Sequence, residues 1–190
     1  MKKENILIVI IALLVGALVG ILVTKGGKQS TPPSQTSVPA GPAVNSQQQI
    51  QMLEGILAKD PGNRNAWVEL GNAYFDANNP MKSVEAYNKA LEIDPNDPNV
   101  LTDQGVMFRS LGWFDRAIEN FSKANQLNPS HHQSLFNLGI VYRYDLQDLQ
   151  KAREAWTRYL EVNPSGPGAD QIRREMSLLQ TQPGSAPANQ

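Results

Sequence analysis

The 190-residue chain contains no cysteine and only two histidines. Without cysteine there can be no disulfide, no thiolate nucleophile and no cysteine-based zinc site. The two histidines, His131 and His132, are neighbours in sequence. Consecutive side chains do not face each other on a helix, and no pattern of Asp or Glu beside them makes a metal signature. They read as an exposed polar turn. No G-x-S-x-G elbow, phosphate-binding loop or dinucleotide fingerprint occurs. An excess of basic charge is also missing. The net charge is −1, and residues 46–181 hold 13 Lys or Arg against 17 Asp or Glu. This is not the footprint of a nucleic-acid binder. The carboxylates are scattered among Lys and Arg and read as a solvated face. The chain is therefore expected to be no enzyme and to need no cofactor or metal.

What remains is unevenly distributed. After a short basic tail, residues 1–5, residues 6–23 read ILIVIIALLVGALVGILV, eighteen positions without a charged or polar side chain. At 1.5 Å per residue that run spans about 27 Å as a helix, near the thickness of a bilayer core. It is too long for the apolar part of a cleaved signal, and no Ala-x-Ala-like site follows it. It reads as a transmembrane signal anchor. Lys2 and Lys3 lie before it and Lys25 and Lys28 after it, so charge balance alone does not orient it. The start MKKEN resembles bacterial signal anchors, which places the rest of the chain outside the cytoplasm, in the periplasm or on the cell surface. Ala12, Gly16 and Gly20 stand four apart, a stripe that would permit a homodimer but is also ordinary for membrane helices. Residues 24–45 are rich in Pro, Ser, Gly and Gln and read as a disordered tether reaching roughly 25 to 70 Å. Residues 182–190 read as a disordered tail.

The region between repeats itself. Displaced by 34, Trp67 meets Leu101 and Leu135, Gly71 meets Gly105 and Gly139, and Tyr74 meets Phe108 and Tyr142. Tyr87 meets Phe121, Ala90 meets Ala124, and Pro95 meets Pro129. In the third copy Trp156 and Pro164 arrive one residue late, which implies one extra residue in the turn at Tyr144 to Leu149. Each copy carries two apolar stripes at helical spacing, divided by a polar turn and closed by a proline. Trp67, Leu70 and Tyr74 mark a first helix, with Trp67 expected to be buried. Val84, Tyr87, Ala90 and Leu91 mark a second. The small Gly71 and Ala90 predict a close crossing of the two. A hairpin of this kind cannot cover its own apolar face, but stacked copies can. Upstream, Leu53, Ile56 and Pro61 match the second half of a copy, with a helix expected over 46–59. Downstream, Ile172, Met176 and Leu179 form the apolar face of a capping helix.

The period and the W-x2-L-G-x2-Y pattern of Trp67, Leu70, Gly71 and Tyr74 resemble the tetratricopeptide repeat. Gln104 in place of Leu, Ser83 before the aromatic and Tyr159 in place of Ala depart from it and are expected to weaken individual contacts. The resemblance implies an all-α, right-handed solenoid of three helix-turn-helix repeats with flanking helices, beside one transmembrane helix. The implied units are a half-repeat at 46–63, repeats at 64–97, 98–131 and 132–166, and a capping helix at 167–181. It also implies a protein or peptide partner held in a groove lined by the first helices. Carried across position by position, the groove residues are Asn65, Val68, Glu69, Asn72, Phe75 and Asp76; then Asn99, Thr102, Asp103, Val106, Arg109 and Ser110; then Gln133, Phe136, Asn137, Ile140, Arg143 and Tyr144. The asparagines suit the main chain of an extended peptide. Phe75, Phe136 and Ile140 are expected to be exposed together as an apolar patch, and Arg109 and Arg143 to stack and hold a carboxylate. Some relatives clamp the C-terminal carboxylate of chaperones. Here Asn72 matches one clamp position, while Val68, Asp103, Gln133 and Asn137 do not match the others, so that partner is rejected. The function implied is a membrane-anchored adaptor. The alternative is a self-associating structural component of an envelope-assembly, secretion or cytochrome-maturation complex.

Overall fold

The structure, a computed structural model, describes residues 46–180, and all regular elements there are helical. They are α1 Ser46–Lys59, α2 Arg64–Asp76, α3 Pro80–Ile93, α4 Pro98–Ser110, α5 Phe114–Leu127, α6 His132–Ile140 with a π-helical extension Val141–Asp145, α7 Leu149–Val162 and α8 Pro167–Gln180. Each packs on the next in chain order, the pattern of a solenoid. The apolar run at 6–23 lies outside the described residues, and no described helix is long and apolar enough to cross a membrane.

Local chemistry sets the helix ends. Side chains of Asn63, Asp97 and His131, spaced by 34, accept the first free N–H groups of α2, α4 and α6. Asn79 and Asp148 do the same for α3 and α7. Pro80 and Pro98 occupy first-turn positions, where a missing N–H costs nothing. Asn78, Gly112 and Gln147 turn the chain between paired helices with φ of 53°, 77° and 57°. The step from Gly112 to Gln147 is one longer than the step from Asn78 to Gly112. The additional residue widens the end of α6 into a π-turn, in which Leu146 N–H bonds to Val141 C=O at 3.0 Å. It is absorbed inside the helix and not in the turn after it.

Pairing within each hairpin rests on glycine against an aromatic ring. A Cβ on Gly71, Gly105 or Gly139 would collide with Tyr87, Phe121 or Trp156, each fully or almost fully buried. The side chains that depart from the repeat pattern make polar contacts of their own. Ser83 donates to Gly71 C=O at 2.9 Å in the core. The Tyr159 hydroxyl accepts from Asn163 at 2.6 Å. Gln104 donates to Asn88 Oδ1 and accepts from Asn120 Nδ2, each at 2.8 Å, so α3, α4 and α5 share one amide ladder. A buried amide is tolerable where its polar atoms are satisfied in this way.

Two expectations need correcting. Trp67 is half-buried, its indole N–H bonded to Pro61 C=O at 2.8 Å, because α1 covers only part of the ring. His131 is buried, because it is the cap of α6 and that turn packs beneath the preceding repeat; only His132 is exposed. The fully buried tryptophan is Trp156, which also donates to Phe136 C=O at 3.2 Å. Trp156→Ala should cost about 3–5 kcal/mol in denaturant melts. Trp67→Ala should cost clearly less, and equal losses would contradict this difference in burial.

Candidate functional site

The face that the repeat pattern assigns to a partner divides into three parts. At its start, Asn72 and Phe75 of α2 and Asp103 of α4 meet Asp76 and Tyr87 around a cavity of about 190 Å³. Here the Tyr87 hydroxyl donates to Asn72 Oδ1 at 2.7 Å. That bond fixes the amide and leaves its N–H donors toward an incoming acceptor. Phe75 stands beside it, 42 % exposed. Asn65 and Glu69 continue the same exposed row on α2.

The middle is less available. Thr102 is 3 % exposed, and its hydroxyl donates to Pro98 C=O at 2.7 Å. It turns into its own helix and cannot line a groove. Val68, Val106, Phe136 and Ile140 are half-buried against the core, Phe136 with its ring 6.0 Å from Tyr159. The expected exposed patch of Phe75, Phe136 and Ile140 does not form, because neighbouring repeats cover two of its three members. Asn99 is engaged by His131 at 3.1 Å and Asn137 by Gln133 C=O at 3.0 Å.

At the far end Arg143 and Tyr144 meet Gln147 and Leu149 around a cavity of about 280 Å³. The expected pair of stacked arginines has a different arrangement. Arg109 holds Asp145 through two nitrogens, at 2.5 and 3.2 Å, and Arg143 lies over the Tyr144 ring at 5.6 Å. The π-turn delivers Asp145 to Arg109, which no spacing argument could anticipate.

The electrostatics are lopsided. Glu69 and Asp76 lie on α2 and Asp103 on α4, and among the described residues none of them forms an ion pair. Burial, then repulsion from Asp97, pushes the Asp103 carboxyl up to about 6. Burial holds the His131 imidazole below its usual value; His132 adds to this and Asp97 opposes it. Among the described residues no group of three His, Asp or Glu side chains converges as metal ligands do.

A wider cavity, about 680 Å³, lies between α1 and α3 over Trp67, Leu70 and Tyr74. The groove assignment gave no hint of it. Internal comparison of the repeats does: Glu54, Leu70 and Ala86 stand where the ladder residues Asn88, Gln104 and Asn120 stand one repeat later, so the amide ladder is missing there and the polar link is instead the Tyr74 hydroxyl, which donates to Glu54 at 2.6 Å.

Two titrations follow from these shifts. Asp103 takes up its proton more readily folded than unfolded, so stability falls as pH rises from about 4 to about 6. At neutral pH, Asp103→Asn should be more stable than the parent by roughly 1–2 kcal/mol, after discounting for partial exposure. The advantage should vanish below about pH 4. His131 behaves oppositely. The unfolded chain binds its proton first, so stability is lost as pH falls below about 6.5. His131→Asp restores the residue that caps α4 and should remove that acid-side loss; identical melting profiles would contradict the cap geometry.

Models of the tetratricopeptide repeat match residues 65–97, 86–119 and 133–166. No curated protein matches the chain by sequence. Among solved structures, the chain is similar to MamA, with 21% identity over 70% of this chain and 80% of that one, at a TM-score of 0.61. It is similar to YrrB, described as a TPR protein with an unusual peptide-binding site, with 21% identity over 68% and 66% and a TM-score of 0.63. It is also similar to the first TPR of Spaghetti (RPAP3) bound to an HSP90 peptide, with 25% identity over 62% and 94% and a TM-score of 0.56. The stacked hairpins and their glycine–aromatic phase agree with these matches: residues 65–119 and 133–166 carry tetratricopeptide repeats.

Proposed function

We propose that the chain is a membrane-tethered adaptor that binds an extended protein segment along the exposed face of its first helices and performs no chemistry. The observation that carries this reading is the Asn72 amide, locked by Tyr87 at the mouth of a cavity beside the exposed Phe75. A fixed amide donor next to an aromatic wall suits a peptide carbonyl with an apolar side chain beside it. The peptide bound to RPAP3 and the peptide-binding site of YrrB support a peptide as the class of ligand. Glu69, Asp76 and Asp103 make this end of the face acidic, so an acidic tail of the kind RPAP3 holds would be repelled here. The bound segment is neutral or basic at that end. The tether at residues 6–23 and a domain outside the cytoplasm rest on the sequence alone.

The test is crosslinking capture from the native membrane. Asn72→Ala combined with Phe75→Ala should lower recovery of the captured partner by about tenfold, the effect of losing about 1.4 kcal/mol. Lys123→Ala, on the exposed side of α5, serves as control. Recovery equal to the control would place the binding elsewhere.

A further inference from the structure

Two departures from the internal repeat meet at one place. The first is Trp113. It precedes α5 at the position where Asn79 caps α3 and Asp148 caps α7, yet it makes no side-chain cap. The repeat thus gives up a stabilising contact and presents an indole that is 37 % exposed. The second is the π-turn at Val141–Asp145. The residue after it, Leu146, corresponds to Leu111 of the preceding repeat. Leu111 packs on the core, whereas Leu146 is 42 % exposed. Trp113, Phe114 and Leu146, with Gly112, Asp115 and Arg116, line an open surface cavity of about 590 Å³. None of these is a residue of the groove face.

Arg116 gives the cavity its chemistry. Each repeat sets a cation over the aromatic ring of its first helix: Lys82 over Tyr74 at 5.2 Å, Arg116 over Phe108 at 5.5 Å, Lys151 over Tyr142 at 5.4 Å. Lys151 also pairs with the cap residue Asp148 at 3.1 Å. In the second repeat the cap is Trp113, and Arg116 lies over that ring as well, at 5.1 Å. Its guanidinium lies over two rings and, among the described residues, forms no ion pair with a carboxylate. Arg109, the nearby cation of the same repeat, is already neutralised by Asp145. A planar guanidinium positioned by two rings still carries N–H donors that fit a carboxylate in two-pronged fashion.

We propose that this cavity is a second docking site, for a protein segment that carries one carboxylate beside an apolar side chain. The apolar group enters between Trp113, Phe114 and Leu146, and the carboxylate meets the N–H donors of Arg116. Asp115 at the same rim repels a second acid, so a single carboxylate is selected over an acidic run. Tryptophan and arginine are the residues on which interface energy concentrates. The charge preference is opposite to that of the acidic groove end, so the two surfaces take different segments.

The probe is a displayed library of random short peptides panned on the full-length chain. The expected result is an enriched family pairing Asp or Glu with a large apolar residue, reduced about tenfold or more by Trp113→Asn. Arg116→Gln should remove the acidic preference and keep the apolar one. Asn72→Ala with Phe75→Ala should leave this family untouched, which separates it from the groove. Trp113→Asn supplies the missing cap, so its thermal midpoint should equal or exceed the parent's. A lower midpoint would assign Trp113 to packing and overturn the proposal. So would an enriched set that is insensitive to Trp113→Asn, one that is sensitive but lacks acids, or no enrichment at all.

Discussion

Three close approaches govern this domain: Gly71 against Tyr87, Gly105 against Phe121, and Gly139 against Trp156. In each, the absence of a Cβ lets a large ring lie on the backbone of the paired helix. The ring is then buried almost completely, and its burial supplies much of the hairpin's stability. Because the three pairs recur in phase, each hairpin leaves the same surfaces for its neighbours, and stacking follows from repetition.

Polar groups inside the stack are chosen to fit this packing. Gln104 would be costly alone in an apolar core, but Asn88 and Asn120 satisfy it from both sides. Ser83 and Tyr159 are satisfied in the same manner. Arg64 reaches Asp97, the cap of α4, and between repeats Arg109 reaches Asp145 and Arg158 reaches Asn125. The α1–α3 junction lacks the amide ladder, and Tyr74 links it instead, bonded to Glu54 and covered by Lys82. The molecule is therefore a regular frame whose individuality lies in a few junctions and turns. Those irregular places add chemistry of their own to that of the regular groove face.

The groove face illustrates how far a repeat pattern reaches. It ranks positions by where an average repeat would expose them. Asn72 and Phe75 comply, and they gain a property the pattern does not contain, a donor orientation imposed by Tyr87. Thr102 does not comply: its hydroxyl donates to Pro98 C=O and the residue is buried. Arg109 sits where the pattern puts it, but its charge is taken by a carboxylate from the next repeat.

The sequence by itself determined the helices, their pairing and their order. Period, glycine phase, caps and prolines are local or strictly repeating signals, and each acts within a turn or one repeat length. The same reasoning marked residues 6–23 as an apolar run of membrane length. Tertiary structure alone decided which side chains remain free. His131 became a buried cap, Phe136 and Ile140 were covered by neighbours, and Asp145 was carried to Arg109 by one additional residue in a helix. Exposure and charge pairing depend on contacts between residues about one repeat apart, and those contacts change with a single insertion. A periodic pattern averages over such differences, and the folded chain does not.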